Sequence, residues 1–172
     1  MSEYQLRRVE KPELGFAASI PVDWNEQPPK HGVPQARWQS PVQPGLMLTV
    51  NRTTPVGASP RQVAEGAAAA LRPVDYVVVE VTDATVIGKP GATMRSWIRG
   101  SDLAARTGWG DAAESERFNL RYYFVKSEGD VLCFILGAAV EVEDPALFDL
   151  LASRFELIER TEAAATGDAG GD

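Results

Sequence analysis

The sequence predicts an α+β fold in which helices cover a mostly antiparallel sheet, and three observations carry that reading. Near the start, Gly15-Phe16-Ala17-Ala18-Ser19-Ile20-Pro21 alternates as a short strand and is followed by Trp24. Near the end, Asp144-Pro145 opens a run in which Leu147, Leu151 and Phe155 fall on one helical stripe. Between these bookends, β-branched and aromatic runs are separated by short turn signals, the pattern of strands that pair with their sequence neighbours.

Residues 1 to 10 alternate weakly and suit an edge strand, after which Leu14, Phe16, Ala18 and Ile20 share one face at period two. Pro21 ends that strand, and the Trp24 ring is expected to fold back into the core. From Asn25 to Pro44 the prolines 28, 29, 34, 41 and 44 exclude a helix, leaving a long ordered loop or short edge strands. Leu46 to Arg52 returns to strand. Ser59-Pro60-Arg61-Gln62 has the capping serine, the first-turn proline and the glutamine of a helix start, and Pro73 stops that helix. A meander follows: Tyr76 to Val81, Ala84 to Ile87, a turn at Gly88-Lys89-Pro90-Gly91, then Ala92 to Arg99. Ser101 to Glu116 is expected to be a polar loop centred on Gly108-Trp109-Gly110. The strongest hairpin signal is Phe118 to Lys126, the connection Ser127-Glu128-Gly129-Asp130, and Val131 to Val140.

Composition bounds the function classes. A chain of 172 residues is most economically a single domain, here residues 1–160, with 161–172 as a polar tail expected to be disordered. A net charge of -7 repels a phosphate backbone, so no nucleic-acid partner is expected. The start of the chain has no apolar signal region, and no run of roughly 18 apolar residues occurs, so the expectation is a cytoplasmic protein without membrane insertion. The single cysteine, Cys133, sits in an apolar run and is expected to be a small buried hydrophobe rather than a redox group.

No residue set amounts to a reaction centre. A triad would need His31, which lies among prolines and glycine in a setting that favours solvation. One histidine and one cysteine are too few for zinc. Glu141, Glu143 and Asp144 lack calcium-loop spacing; Asp144 is better used as a helix cap. Gly88-Lys89 lacks the spaced glycines of a phosphate loop. No metal, no cofactor and no enzymatic activity are expected.

Several phrases resemble those of the Mog1/PsbP-like group, which also takes in bacterial DcrB-type and LpqN-type proteins. They are the entry Gly15-Phe16 to Pro21 with Trp24, the turn Ile87-Gly88-Lys89-Pro90-Gly91-Ala92, and the hairpin Tyr122-Tyr123-Phe124 to Gly129 followed by an apolar strand and a terminal helix. The resemblance spans about residues 14 to 158 and implies an α/β/α sandwich around a mostly antiparallel sheet. It implies no single activity, because members include GTPase-binding factors, photosystem extrinsic subunits, envelope lipoproteins and secretion-effector chaperones. The chain departs from the lipoprotein members in having no lipobox cysteine.

The remaining candidates are for binding. Trp38 and Trp109 lie in irregular surroundings where a tryptophan is expected to be partly exposed, and tryptophan and arginine dominate interface hot spots. Arg95, Trp97 and Arg99 share a strand face that Arg121 and Tyr123 can join across the sheet, either as a wet face or as a patch for an acidic or apolar partner. The leading expectation is a non-enzymatic binding module, an assembly factor or chaperone-like adaptor with a protein partner. The alternative is a small-molecule or lipid-binding protein with a pocket between sheet and helix.

Overall fold

The computed structural model describes residues 4–29, 34–43, 45–54 and 58–161. Ten strands and three helices follow in order: β1 (Leu6–Lys11), β2 (Phe16–Pro21), β3 (Asn25–Gln27), β4 (Gln35–Gln39), β5 (Met47–Thr53), α1 (Pro60–Leu71), β6 (Val77–Val86), β7 (Lys89–Arg99), α2 (Gly100–Thr107), β8 (Arg117–Ser127), β9 (Asp130–Ala139), α3 (Pro145–Ser153) and β10 (Glu156–Leu157). Seven strands make one sheet in the order β3-β4-β5-β9-β8-β7-β6, and β1-β2-β10 make a smaller one. Every pairing is antiparallel. Sheet and helices therefore form the α+β sandwich.

Most elements arise where their residue chemistry puts them. Ser59 accepts from the Gln62 amide while the Gln62 side chain returns to Ser59, the reciprocal cap expected of that phrase. Asp144 accepts from the Leu147 amide at the start of α3. Asp144 also accepts from the Tyr4 hydroxyl at 2.6 Å, which holds its carboxyl below the usual range and pushes the phenol up to about 12.

Three local expectations change. The proline-rich stretch forms β3 and β4, and β4 sits inside the large sheet because its prolines fall outside Gln35–Gln39. The two segments read after Tyr76 are one strand, β6, with a bulge between Val79 and Thr82; Lys89-Pro90-Gly91 belongs to β7, leaving Ile87 and Gly88 to turn. The polar loop expected over 101–116 contains α2 and a short 3-10 turn, Gly110–Glu114, because Leu103, Ala104 and Ala112 have Ile98 and Phe118 to pack against. α3 shares its side of the large sheet with the small sheet, whereas α1 and α2 lie on the other side. His31 and the tail from residue 162 lie outside the described residues.

The largest core joins β2, α3 and the β4-β5-β9 half of the large sheet. Phe134 stacks on Phe155 at 4.2 Å between ring centres and meets Phe16 edge-on at 5.6 Å. On the opposite face, Ala64 and Ala68 let α1 sit close to Met94, Tyr122, Phe124 and Cys133. Burial pushes the Cys133 thiol up, away from the reactive thiolate. A thiol alkylator is therefore expected to label the native protein at least ~100-fold more slowly than the urea-unfolded chain, which mass spectrometry can follow. Comparable rates would refute the buried placement.

One ion pair lies inside this framework. The Arg52 guanidinium, with its residue 4% exposed, donates to Asp130 Oδ2 at 2.6 Å, to the Leu14 carbonyl at 2.7 Å and to the Ser127 carbonyl at 2.9 Å. It ties the entry to β2, strand β5 and the β8-β9 turn to one point.

Candidate functional site

The side of the large sheet that carries α3 and the small sheet is only half covered. Across it, register places Trp38 on β4, Leu48 on β5, Leu136 on β9, Arg121 on β8 and Arg95 on β7 in one row. Trp38, Leu48 and Leu136 are buried beneath the covering layer. Arg95 is exposed. Alternation thus carries an apolar face across three strands and changes it to a cationic one on the next two, where the cover stops.

The open half is built from β6, β7 and β8. Arg95 lies opposite Arg121, Trp97 opposite Asn119, and Arg99 opposite Arg117, so four arginines flank one tryptophan on one face. Val77 pairs with Trp97 and Val79 with Arg95, and these two valines are 44% and 48% exposed. The Arg117 guanidinium lies over the Trp97 ring, 5.4 Å from its centre. Arg121, at the margin, donates to Asp149 of α3 at 2.9 Å and lies 5.4 Å from the centre of the Phe148 ring. Arg95 and Arg99 have no ion pair or hydrogen bond from their side chains to any of the described residues.

Two shallow depressions run along this face. One, of about 350 Å³, is bordered by Val79, Glu80, Thr93, Arg95, Arg121 and Tyr123. The other, of about 160 Å³, is bordered by Val79, Trp97, Arg117, Asn119, Arg121 and Glu143. Of the carboxylates nearby, Glu143 accepts from Asn119 Nδ2 at 2.6 Å and Asp149 from Arg121, whereas Glu80 on the rim has no hydrogen bond or ion pair to any described residue. Two directly opposed arginine pairs are unfavourable in isolation, because like charges across a strand pair repel. An anionic surface laid over the face removes that cost.

The candidate residues are thereby sorted. Arg95, Trp97, Arg99 and Arg121 come together, with Tyr123 at the border, its ring edge-on to Phe155 at 5.9 Å. Trp38 does not belong: it is 1% exposed, packed edge-on against Phe16 at 6.2 Å, and its expected partial exposure is corrected by the strand it occupies. Trp109 is half-buried on the opposite side of the sheet, 5.4 Å from Phe118. Arg117 was missed from sequence, although its spacing of two from Asn119 and four from Arg121 places it on the same face.

Trp109 borders a separate apolar cavity of about 190 Å³ between the sheet and α2, with Met47, Tyr76, Leu103 and Phe118 among its walls. The α2 segment is seated there because Gly100 faces the carbonyls of Ala112 and Ser115 with no room for a Cβ. Burial pushes the Tyr76 phenol up, opposed by Arg106.

The carboxylates Glu141, Glu143 and Asp144 point to separate partners. Glu141 accepts from the Glu116 amide at 2.8 Å, which lowers its carboxyl, while the other two accept from Asn119 and from Tyr4 and Leu147. Among the described residues no group of three or more metal-ligating side chains is gathered. None of their helices is long and apolar enough to cross a membrane.

No protein-family model matches the chain. No curated protein matches it either. Solved structures do. The chain is similar to cyanobacterial PsbP (CyanoP) from Synechocystis sp. PCC 6803, with a TM-score of 0.63 and 14% identity over 91% of this chain and 94% of that one. It is similar to the Ran-binding protein Mog1p of Saccharomyces cerevisiae, with a TM-score of 0.51 and 10% identity over 91% and 97%. A protein from Bacteroides thetaiotaomicron matches at a TM-score of 0.55 and 11% identity, over 91% of this chain and 49% of that one. The fold is therefore Mog1/PsbP-like. At these identities the likeness concerns the fold alone.

Proposed function

We propose that the protein is a non-enzymatic binding module, an assembly factor or chaperone-like adaptor of the cytoplasm, that holds a protein partner on the open β6-β7-β8 face. The observation that supports it most is the uncovered half-sheet itself, where Arg95, Arg99 and Arg117 surround Trp97 beside two exposed valines. Arginine and tryptophan are the side chains in which interface energy concentrates. That one structural neighbour is a Ran-binding protein is compatible with such a role. The test is affinity capture from an extract of the source cells, comparing wild type with Arg95→Glu/Arg99→Glu and with Trp97→Ala. A defined set of proteins kept by wild type and lost by both variants is expected; identical sets would overturn the reading.

The apolar cavity behind Trp109 favours a second reading, a site for a small apolar molecule between sheet and helix. A ligand there is expected to change Trp109 emission, and Gly100→Ala to abolish the change.

A further inference from the structure

The open face ends at an open edge. Of the two outer strands of the large sheet, β3 has three residues and β6 has ten. A long edge strand presents unpaired backbone donors and acceptors to any extended chain, and proteins guard such edges with charges and bulges. Here the guard is partial. The bulge between Val79 and Thr82, with Glu80 and the Asp83 to Arg61 ion pair at 3.1 Å, interrupts the middle of β6. The stretch Val77–Val79 carries no charge and has no bulge within it.

Resting on the reading of this face as a binding surface, we propose that the partner segment is an extended, acidic strand that adds to the Val77–Val79 edge of β6. Its side chains would alternate between the two faces. On the arginine side they are acidic: two strand spacings, about 10 Å, separate such a strand from Arg95 and Trp97, a span that a glutamate and an arginine bridge together. On the other side they are apolar, continuing the partly buried Val78 and Val81 that pack beside α1 with Val63, Ala67 and Leu71. The local charge selects such a strand over a second copy of this edge, because a second Val77–Val79 stretch brings no carboxylate to Arg95 and Arg99.

The test uses the full chain and a synthetic peptide of about ten residues alternating glutamate and valine, a typical strand length. Three controls accompany it: the same peptide N-methylated at alternate residues, a lysine-valine peptide, and the variant Val77→Glu/Val79→Glu, which sets like charges against the acidic strand. Binding of the acidic peptide, at least ~10-fold weaker for each control, together with slowed amide exchange in Val77–Val79, is the expected result. Equal binding of the N-methylated peptide, still lost in Arg95→Glu/Arg99→Glu, would overturn edge addition while leaving the face as a binding surface. No binding of the acidic peptide, with partner capture through Arg95 intact, would overturn the acidic strand alone. A concentration-dependent dimer dissolved by Val77→Glu/Val79→Glu would assign the edge to a second copy and overturn the proposal.

Discussion

Arg52→Ala is expected to destabilise the protein by about 3–5 kcal/mol, the range for removing one partner of a buried ion pair. In a domain of this size that lowers the melting temperature by on the order of 10 °C. The lost attraction is the smaller part of this cost. Asp130 would remain buried with only Arg160, at 3.4 Å, nearby, and the Leu14 and Ser127 carbonyls would lose their guanidinium donors. Arg52→Lys keeps the charge but cannot make all of those bonds from one ammonium, so an intermediate loss is expected. The double change Arg52→Leu/Asp130→Leu removes both charges and is expected to be less damaging than Arg52→Ala, since apolar replacement of a whole buried pair is often tolerated. Urea titration followed by tryptophan emission checks the series. A single mutant within about 0.5 kcal/mol of wild type, the usual range for surface changes, would show that the pair carries little.

That pair also shows where the sequence was legible and where it was not. Leu46, Leu48 and Val50 alternate inward, and Arg52 stands at the next inward position. A charge in a position that alternation reserves for the core is a readable anomaly. Its partner is not readable, because Asp130 is 78 residues away and lies in what looks like an ordinary turn. Local signals did better. The capping phrase at Ser59, the Asp144 cap and the β8-β9 hairpin each depend on residues a few positions apart, and each formed where expected.

The misplaced tryptophan has the same cause. The proline-rich neighbourhood of Trp38 points to exposure, but its burial is decided by β5 and by Phe16 of the small sheet. The α2 segment reads as polar because its apolar residues are few; Leu103 and Ala104 suffice once Ile98 and Phe118 supply the other half of the cluster. The arginine face was partly legible, since period two alone aligns Arg95, Trp97 and Arg99. What period two cannot say is which half of a sheet face the covering layer reaches. The row from Trp38 to Arg95 is continuous in register and divided only by α3 and the small sheet.

This division gives the arginines a signature that a merely solvated face lacks. Arg95→Glu places a carboxylate opposite Arg121, and Arg99→Glu places one opposite Arg117, turning two repulsive cross-strand pairs into attractive ones. Each change is worth about 0.2–1 kcal/mol in favour of the fold, so the double variant should melt a few degrees above wild type. Binding should move the other way. Truncating an arginine hot spot costs about 2 kcal/mol or more, and reversing two charges on a face that holds an acidic segment should weaken capture at least ~100-fold. Calorimetry and titration with the captured partner measure the two effects on one sample. A rise in stability with binding lost identifies residues kept against the interest of the fold, the trade expected of a functional surface. Lowered stability together with lost binding would instead mean that these arginines support the sheet, and the partner would have to be sought elsewhere on the molecule.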